Sequence, residues 1–161
     1  MVTSLRRFRR SFSFAAQGWK NAWRTEANFR FDVVCGCLAL LMAWFLRLDS
    51  RDVAIVAVAA GLVMTAELFN TAIEETVDLA MPSMHPRAGR AKDVAAAAVL
   101  TIVVPVALLG LIFFLPPFLS GERLASAVAA AGWPHYLAFC GWVLLCVAAA
   151  RTGRGQRRGD D

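Results

Sequence analysis

Glu67, Asn70, Glu74 and Asp78 recur at i, i+3, i+7 and i+11 within the segment AELFNTAIEETVDLA, residues 66–80. At about 100° per residue of helix they fall within about 80° of one another. They form one acidic stripe on a mostly apolar segment, with Thr71 beside it and Glu75 off to one side. An acid in hydrocarbon is costly, about 2.5–3.5 kcal/mol for Asp at a helix centre, so such groups usually face a polar interior and work there. Four polar groups in register exceed what helix packing with a protonated Glu67 requires. Two further clusters could join them. TEANFRFD, residues 25–32, offers Glu26, Asn28, Arg30 and Asp32, and HPRAGRAKD, residues 85–93, offers His85, Arg87, Arg90, Lys92 and Asp93. Carboxylates can hold Mg²⁺ and cations can hold phosphate. Phosphoryl transfer needs that set: positioning, a metal, charge neutralisation and a base. A basic loop alone would read as a topology signal or an anionic-lipid contact.

The elements that carry these residues lie in a membrane. The chain has 161 residues, is 58% apolar and carries a formal charge of +5. Its apolar share exceeds the roughly 45–50% usual for soluble domains. Four apolar runs follow a basic beginning, at 31–48, 53–79, 94–115 and roughly 124–150. A membrane helix needs about 20 such residues. Pro105 is expected to kink the third span, and Pro134 and His135 stand near the start of the fourth. Residues 4–27 are too charged to span. Leu5, Phe8, Phe12, Ala16, Trp19 and Trp23 form a narrow stripe flanked by Arg6, Arg10, Lys20 and Arg24. That pattern suits a helix lying on the membrane surface or packed against the bundle. The expected fold is therefore all-α and integral to the membrane: a surface helix, a three-helix core over 1–118, an additional span over 119–150, and a disordered basic tail over 151–161.

Basic residues orient the spans. Fourteen of the 17 Lys and Arg fall before span 1, between spans 2 and 3, or in the tail. The positive-inside rule puts those regions, and both termini, in the cytoplasm. If span 2 enters from outside at Val53, Glu67 lies roughly 21 Å along it and Glu74 near 31 Å. The stripe then runs from within the inner leaflet to the headgroup layer, where a water-soluble reactant meets a lipid headgroup. No secretory signal is expected, because no short apolar run with a cleavage site follows the basic start. Cys35, Cys37, Cys140 and Cys146 lie in apolar runs without zinc-site spacing and read as small packing residues. There is no GxxxxGK[ST] loop, so a nucleotide site must be assembled from helix ends.

As a set, TEANFR at 25–30, AELFNTAIEETVD at 66–78 and HPRAGRAKDVAAAAVL at 85–100, with their spacing, resemble the bacterial integral-membrane diacylglycerol kinase and undecaprenol kinase family over roughly residues 7–118. The resemblance implies a lipid kinase of the bacterial inner membrane, a homotrimer with sites shared between subunits, and MgATP as phosphate donor. It implies Glu67 as the base that takes the lipid hydroxyl proton, with Glu26 and Glu74 as Mg²⁺ ligands. Arg7, Phe14, Ser83, Met84, His85, Lys92 and Asp93 match nucleotide-contacting positions, alongside the two metal-binding glutamates. Asn70 and Asp78 match polar active-site positions, and the lipid would enter near Trp23, Asn28 and Arg30. Phe14 stands where diacylglycerol kinases carry tyrosine, and the chain runs about 40 residues past the family's core. The HPxAxxAKD loop and the Phe114–Leu115–Pro116 ending of span 3 look more like the undecaprenol kinases. No nucleic-acid partner is expected.

Two other classes remain for comparison. A small proton-coupled transporter would place its key carboxylate near the midplane, with little polar apparatus on one side. A non-catalytic lipid-binding relative would have lost Glu67, Glu74 or Lys92. Here the charges gather at the cytoplasmic end and all three residues are present.

Overall fold

The structure, a computed structural model, describes residues 2–83, 85–130 and 133–152. Every element among these residues is helical: α1 (Val2–Thr25), α2 (Ala27–Phe45), α3 (Ser50–Ala80), α4 (Pro86–Ser120), α5 (Glu122–Ala130) and α6 (Trp133–Thr152). Of these, α2, α3 and α4 are identified as long and apolar enough to cross a membrane. An all-α membrane fold is the result, and α1 covers the residues expected to form the surface helix.

The helices begin where local chemistry lets them. Asp49 precedes α3 and accepts the Asp52 N–H at 3.1 Å, satisfying one of the unpaired donors of the first turn. His85 does the same for α4, its Nδ1 accepting the Arg87 N–H at 3.1 Å, and Pro86 occupies the first turn, where no N–H is needed. Gly121, at φ 66°, ends α4 in the left-handed region that favours glycine.

The packing seam is small and regular. On α3, Val56, Ala59 and Val63 are buried at spacings of three and four, beside Gly36 of α2 and Val103 and Val106 midway along α4. A Cβ at Gly36 would stand 3.1 Å from the Ala60 Cβ. Close approach of small residues is how membrane helices gain packing without a hydrophobic drive between them. Gly36→Leu should therefore overpack this seam, at about 1–3 kcal/mol, and lower the unfolding temperature in detergent. An unchanged melting curve would show that α2 and α3 separate without cost.

Large apolar side chains point outward, among them Val58, Phe69, Leu108 and Ile112. In a bilayer, where lipid is the solvent, that is the expected arrangement.

Two boundaries differ from expectation. α2 starts at Ala27, ahead of the apolar run, because hydropathy marks contact with lipid and not helical hydrogen bonding. α4 is one helix of 35 residues that extends beyond the apolar run at 94–115 at both ends and contains Pro105, Pro116 and Pro117. Within the expected span over 124–150, the described residues form α5 up to Ala130 and α6 from Trp133. α6 packs on α2, where the Phe45 and Phe139 rings sit 5.6 Å apart. The expected disordered tail over 151–161 begins within α6, at 151–152, and otherwise lies outside the described residues.

Candidate active site

The acidic stripe continues the packing seam. Below Val56, Ala59 and Val63, the next buried residues of α3 are Glu67 and Asn70, at the same spacing of four and three. Glu67 is only 4% exposed. Burial then falls away: Glu74 is half-buried and Asp78 exposed. One face of one helix thus grades from dry to wet.

The start of α2 closes over this face. The Asn28 side chain lies beside the Glu67 carboxylate, and the carboxylates of Asp32, Glu74 and Glu26 are near enough to act on its charge. Asn70 Nδ2 donates to Glu74 Oε1 at 2.9 Å, which orients that carboxylate. The other end of the Asn70 amide, Oδ1, and Asp32 Oδ2 are buried without a hydrogen-bond partner. Buried polar atoms are nearly always paired, so each such atom calls for an explanation. Here both belong to the cluster around Glu67. Thr71 turns its hydroxyl to the Glu67 backbone carbonyl at 3.0 Å.

At the wet end, Lys92 Nζ of α4 meets Asp78 Oδ1 of α3 at 2.6 Å. A groove of about 580 Å³ opens beside the pair, lined by residues that include Pro82, Ser83, His85 and Gly89. The sequence-expected residues Asp78, Ser83, His85 and Lys92 therefore converge, and Asp93 follows as an exposed neighbour. Met84 lies outside the described residues.

Other expected residues sit elsewhere. Arg7 and Phe14 lie on the exposed surface of α1, with the Arg10 guanidinium 5.5 Å from the Phe14 ring centroid. Trp23 is half-buried near the end of α1. Arg30 is buried and turned back on α1, its Nη1 donating to the carbonyls of Trp23 and Arg24. That engagement, and the Lys92–Asp78 pair, were not read from the sequence. The Asn70–Glu74 hydrogen bond carried a signal there, its i, i+4 spacing.

Glu26 occupies the break between α1 and α2 with an extended backbone, φ −98° and ψ 116°, and its side chain makes no capping hydrogen bond. Glu26 and Glu74 are hard oxygen donors of the kind Mg²⁺ takes. Among the described residues, no three of His, Cys, Asp and Glu form a ready metal cluster. Two carboxylates suit an ion that brings phosphate oxygens and water as its remaining ligands.

The profile of a family described as prokaryotic diacylglycerol kinase matches residues 13–114. The chain belongs to that family. The diacylglycerol kinase match runs from the second half of α1 to near the end of α4, so it takes in the stripe, the Glu26 corner and the Lys92 groove, and leaves α5 and α6 outside. An undecaprenol kinase of Bacillus subtilis is 42% identical over 113 residues, covering 70% of this chain and 91% of its own. A diacylglycerol kinase of Synechocystis is 40% identical over 111 residues, covering 68% and 63%. The diacylglycerol kinase of Escherichia coli K12 is 36% identical over 107 residues, covering 65% and 88%. The expectation of a lipid kinase is met at the level of the family.

Proposed function

We propose that this protein transfers the γ-phosphoryl group of ATP to the hydroxyl of a membrane lipid alcohol, undecaprenol or diacylglycerol, at the cytoplasmic face of the bacterial inner membrane. The observation that carries this reading is the graded stripe of α3. It joins a buried carboxylate, at lipid depth, to the Asp78–Lys92 pair and its groove at the polar end.

Glu67 accepts the hydroxyl proton as the lipid oxygen attacks the γ-phosphorus. The bond from that phosphorus to the β–γ bridging oxygen breaks, and ADP leaves. Geometry comes before basicity in choosing such a base, and Glu67 is the acid that lies deepest along the stripe. Mg²⁺, entering with ATP, would neutralise phosphate charge between Glu26 and Glu74. Lys92 exchanges Asp78 for phosphate as a compact cation. Asn70 holds Glu74 in place, and Arg7, Phe14, Ser83, Met84, His85 and Asp93 are assigned to the nucleotide. Trp23 and Asn28 flank the path of the lipid.

Arg7 and Phe14 are exposed on α1, as are the apolar rings of Phe8 and Phe12. A homotrimer in which α1 of one subunit completes a neighbour's site accounts for both. The 20 residues of α6 reach about 30 Å, one bilayer core, which supports a fourth crossing and cytoplasmic termini.

The test is phosphate transfer from labelled MgATP in mixed micelles, with undecaprenol and diacylglycerol offered separately. Transfer to undecaprenol is expected, in keeping with the 42% identical relative. Preference for diacylglycerol would reassign the lipid. Transfer to neither, from folded protein, would reject the kinase reading in favour of a transporter or a lipid-binding protein.

A further inference from the structure

Arg30 is the one buried cation among the described residues, at 7% exposure. Its Nη1 donates to the Trp23 carbonyl at 3.0 Å and the Arg24 carbonyl at 3.2 Å. Both carbonyls belong to the last turn of α1, where four such groups lack an intrahelical partner. A cation there is also favoured by the helix dipole.

Between that turn and Arg30 stands Glu26, the residue at which the chain turns from α1 into α2. It is bracketed on the backbone as well. The Glu26 N–H donates to the Ala22 carbonyl at 2.8 Å, and the Arg30 N–H reaches the Glu26 carbonyl at 3.4 Å. Trp19 meets Phe29 edge to face at 5.0 Å, and Phe29 is fully buried. The guanidinium thus spans the break from the α2 side and grips the α1 side. The angle of this corner sets where the Glu26 carboxylate lies relative to Glu67 and Glu74.

We propose that Arg30 is a positioning residue, which holds Glu26 over the α3 stripe by tying the last carbonyls of α1 to the first turn of α2, and not a contact for the lipid. The inference rests on the reading of Glu26 as a residue of the Mg²⁺–ATP site. Loss of the clamp should then register as a weakened metal response with an unaltered lipid response. A guanidinium facing the lipid would do the reverse.

The experiment compares full-length Arg30→Gln, Arg30→Lys, Glu26→Gln and the Arg30→Gln/Glu26→Gln double variant, with rates titrated separately against Mg²⁺ and lipid. Arg30→Gln should raise the half-maximal Mg²⁺ concentration by about 10–100-fold, the usual effect of losing a ligand's support, and leave the lipid KM unchanged. Arg30→Lys, which keeps a cation able to reach one carbonyl, should recover part of the response. In the Glu26→Gln background, Arg30→Gln should add no further loss, since the two act through one group. A raised lipid KM with an unchanged Mg²⁺ titration would overturn the proposal, as would full additivity with Glu26→Gln. Should Arg30→Gln fail to fold, Arg30→Lys carries the same comparison alone and in the Glu26→Gln background. If Glu26→Gln itself leaves the Mg²⁺ titration unchanged, the metal reading of Glu26 falls, whereas a shift there without one in Arg30→Gln sinks the positioning role alone.

Discussion

Glu67→Gln lowers kcat by about 10²–10⁴-fold, the usual contribution of a positioned general base. The amide matches the carboxylate in shape, so the seam through Val63 and Asn70 should persist. It cannot take a proton from the lipid hydroxyl. Glu67 lies deeper than the groove beside Lys92, so ATP binding should hold. The check is steady-state kcat with the lipid offered in excess, beside calorimetric titration with a nucleotide. A near-normal kcat would remove Glu67 as the base, and joint loss of turnover and nucleotide binding would point to a structural role.

The second large effect belongs to the carboxylates nearer the exposed end of the stripe. Glu26→Gln and Glu74→Gln should each raise the Mg²⁺ needed for half-maximal rate by at least about 10–100-fold, the range found even for residues that only support a ligand. Each variant keeps one carboxylate, so high Mg²⁺ should restore part of the rate. The double variant should not recover. These titrations separate the two residues from Glu67, whose loss no Mg²⁺ concentration repairs. An unchanged midpoint in both single variants would reject the assignment.

Much of this arrangement is legible in the sequence, because membrane helices state their length and their polar exceptions plainly. The apolar runs at 31–48, 53–79 and 94–115 lie within α2, α3 and α4 apart from the last residues of the first, and Glu67, Asn70, Glu74 and Asp78 share a face. The ends of the helices are less legible. Ala27–Arg30 is polar yet helical, since backbone hydrogen bonding continues into the headgroup layer. Side-chain direction was the hardest part. Lys92 could have faced solvent or phosphate, and its pairing with Asp78 depends on how α3 and α4 meet. Arg30 likewise depends on tertiary structure: the α1–α2 corner places two carbonyls beside it.

That corner also has a bearing on how stable this protein can become. Residues that open helices are usually Ser, Thr, Asp or Asn, and such a cap contributes about 0.5–2 kcal/mol. α2 opens on Glu26, with no side-chain cap. A shorter carboxylate at this position would fold onto the first turn and tighten the helix, but on the proposed role of Glu26 it would draw a charge away from the phosphates of ATP. Selection for thermal resistance alone should therefore favour a variant that melts higher and turns over less. In this protein, stability and activity compete for a single side chain.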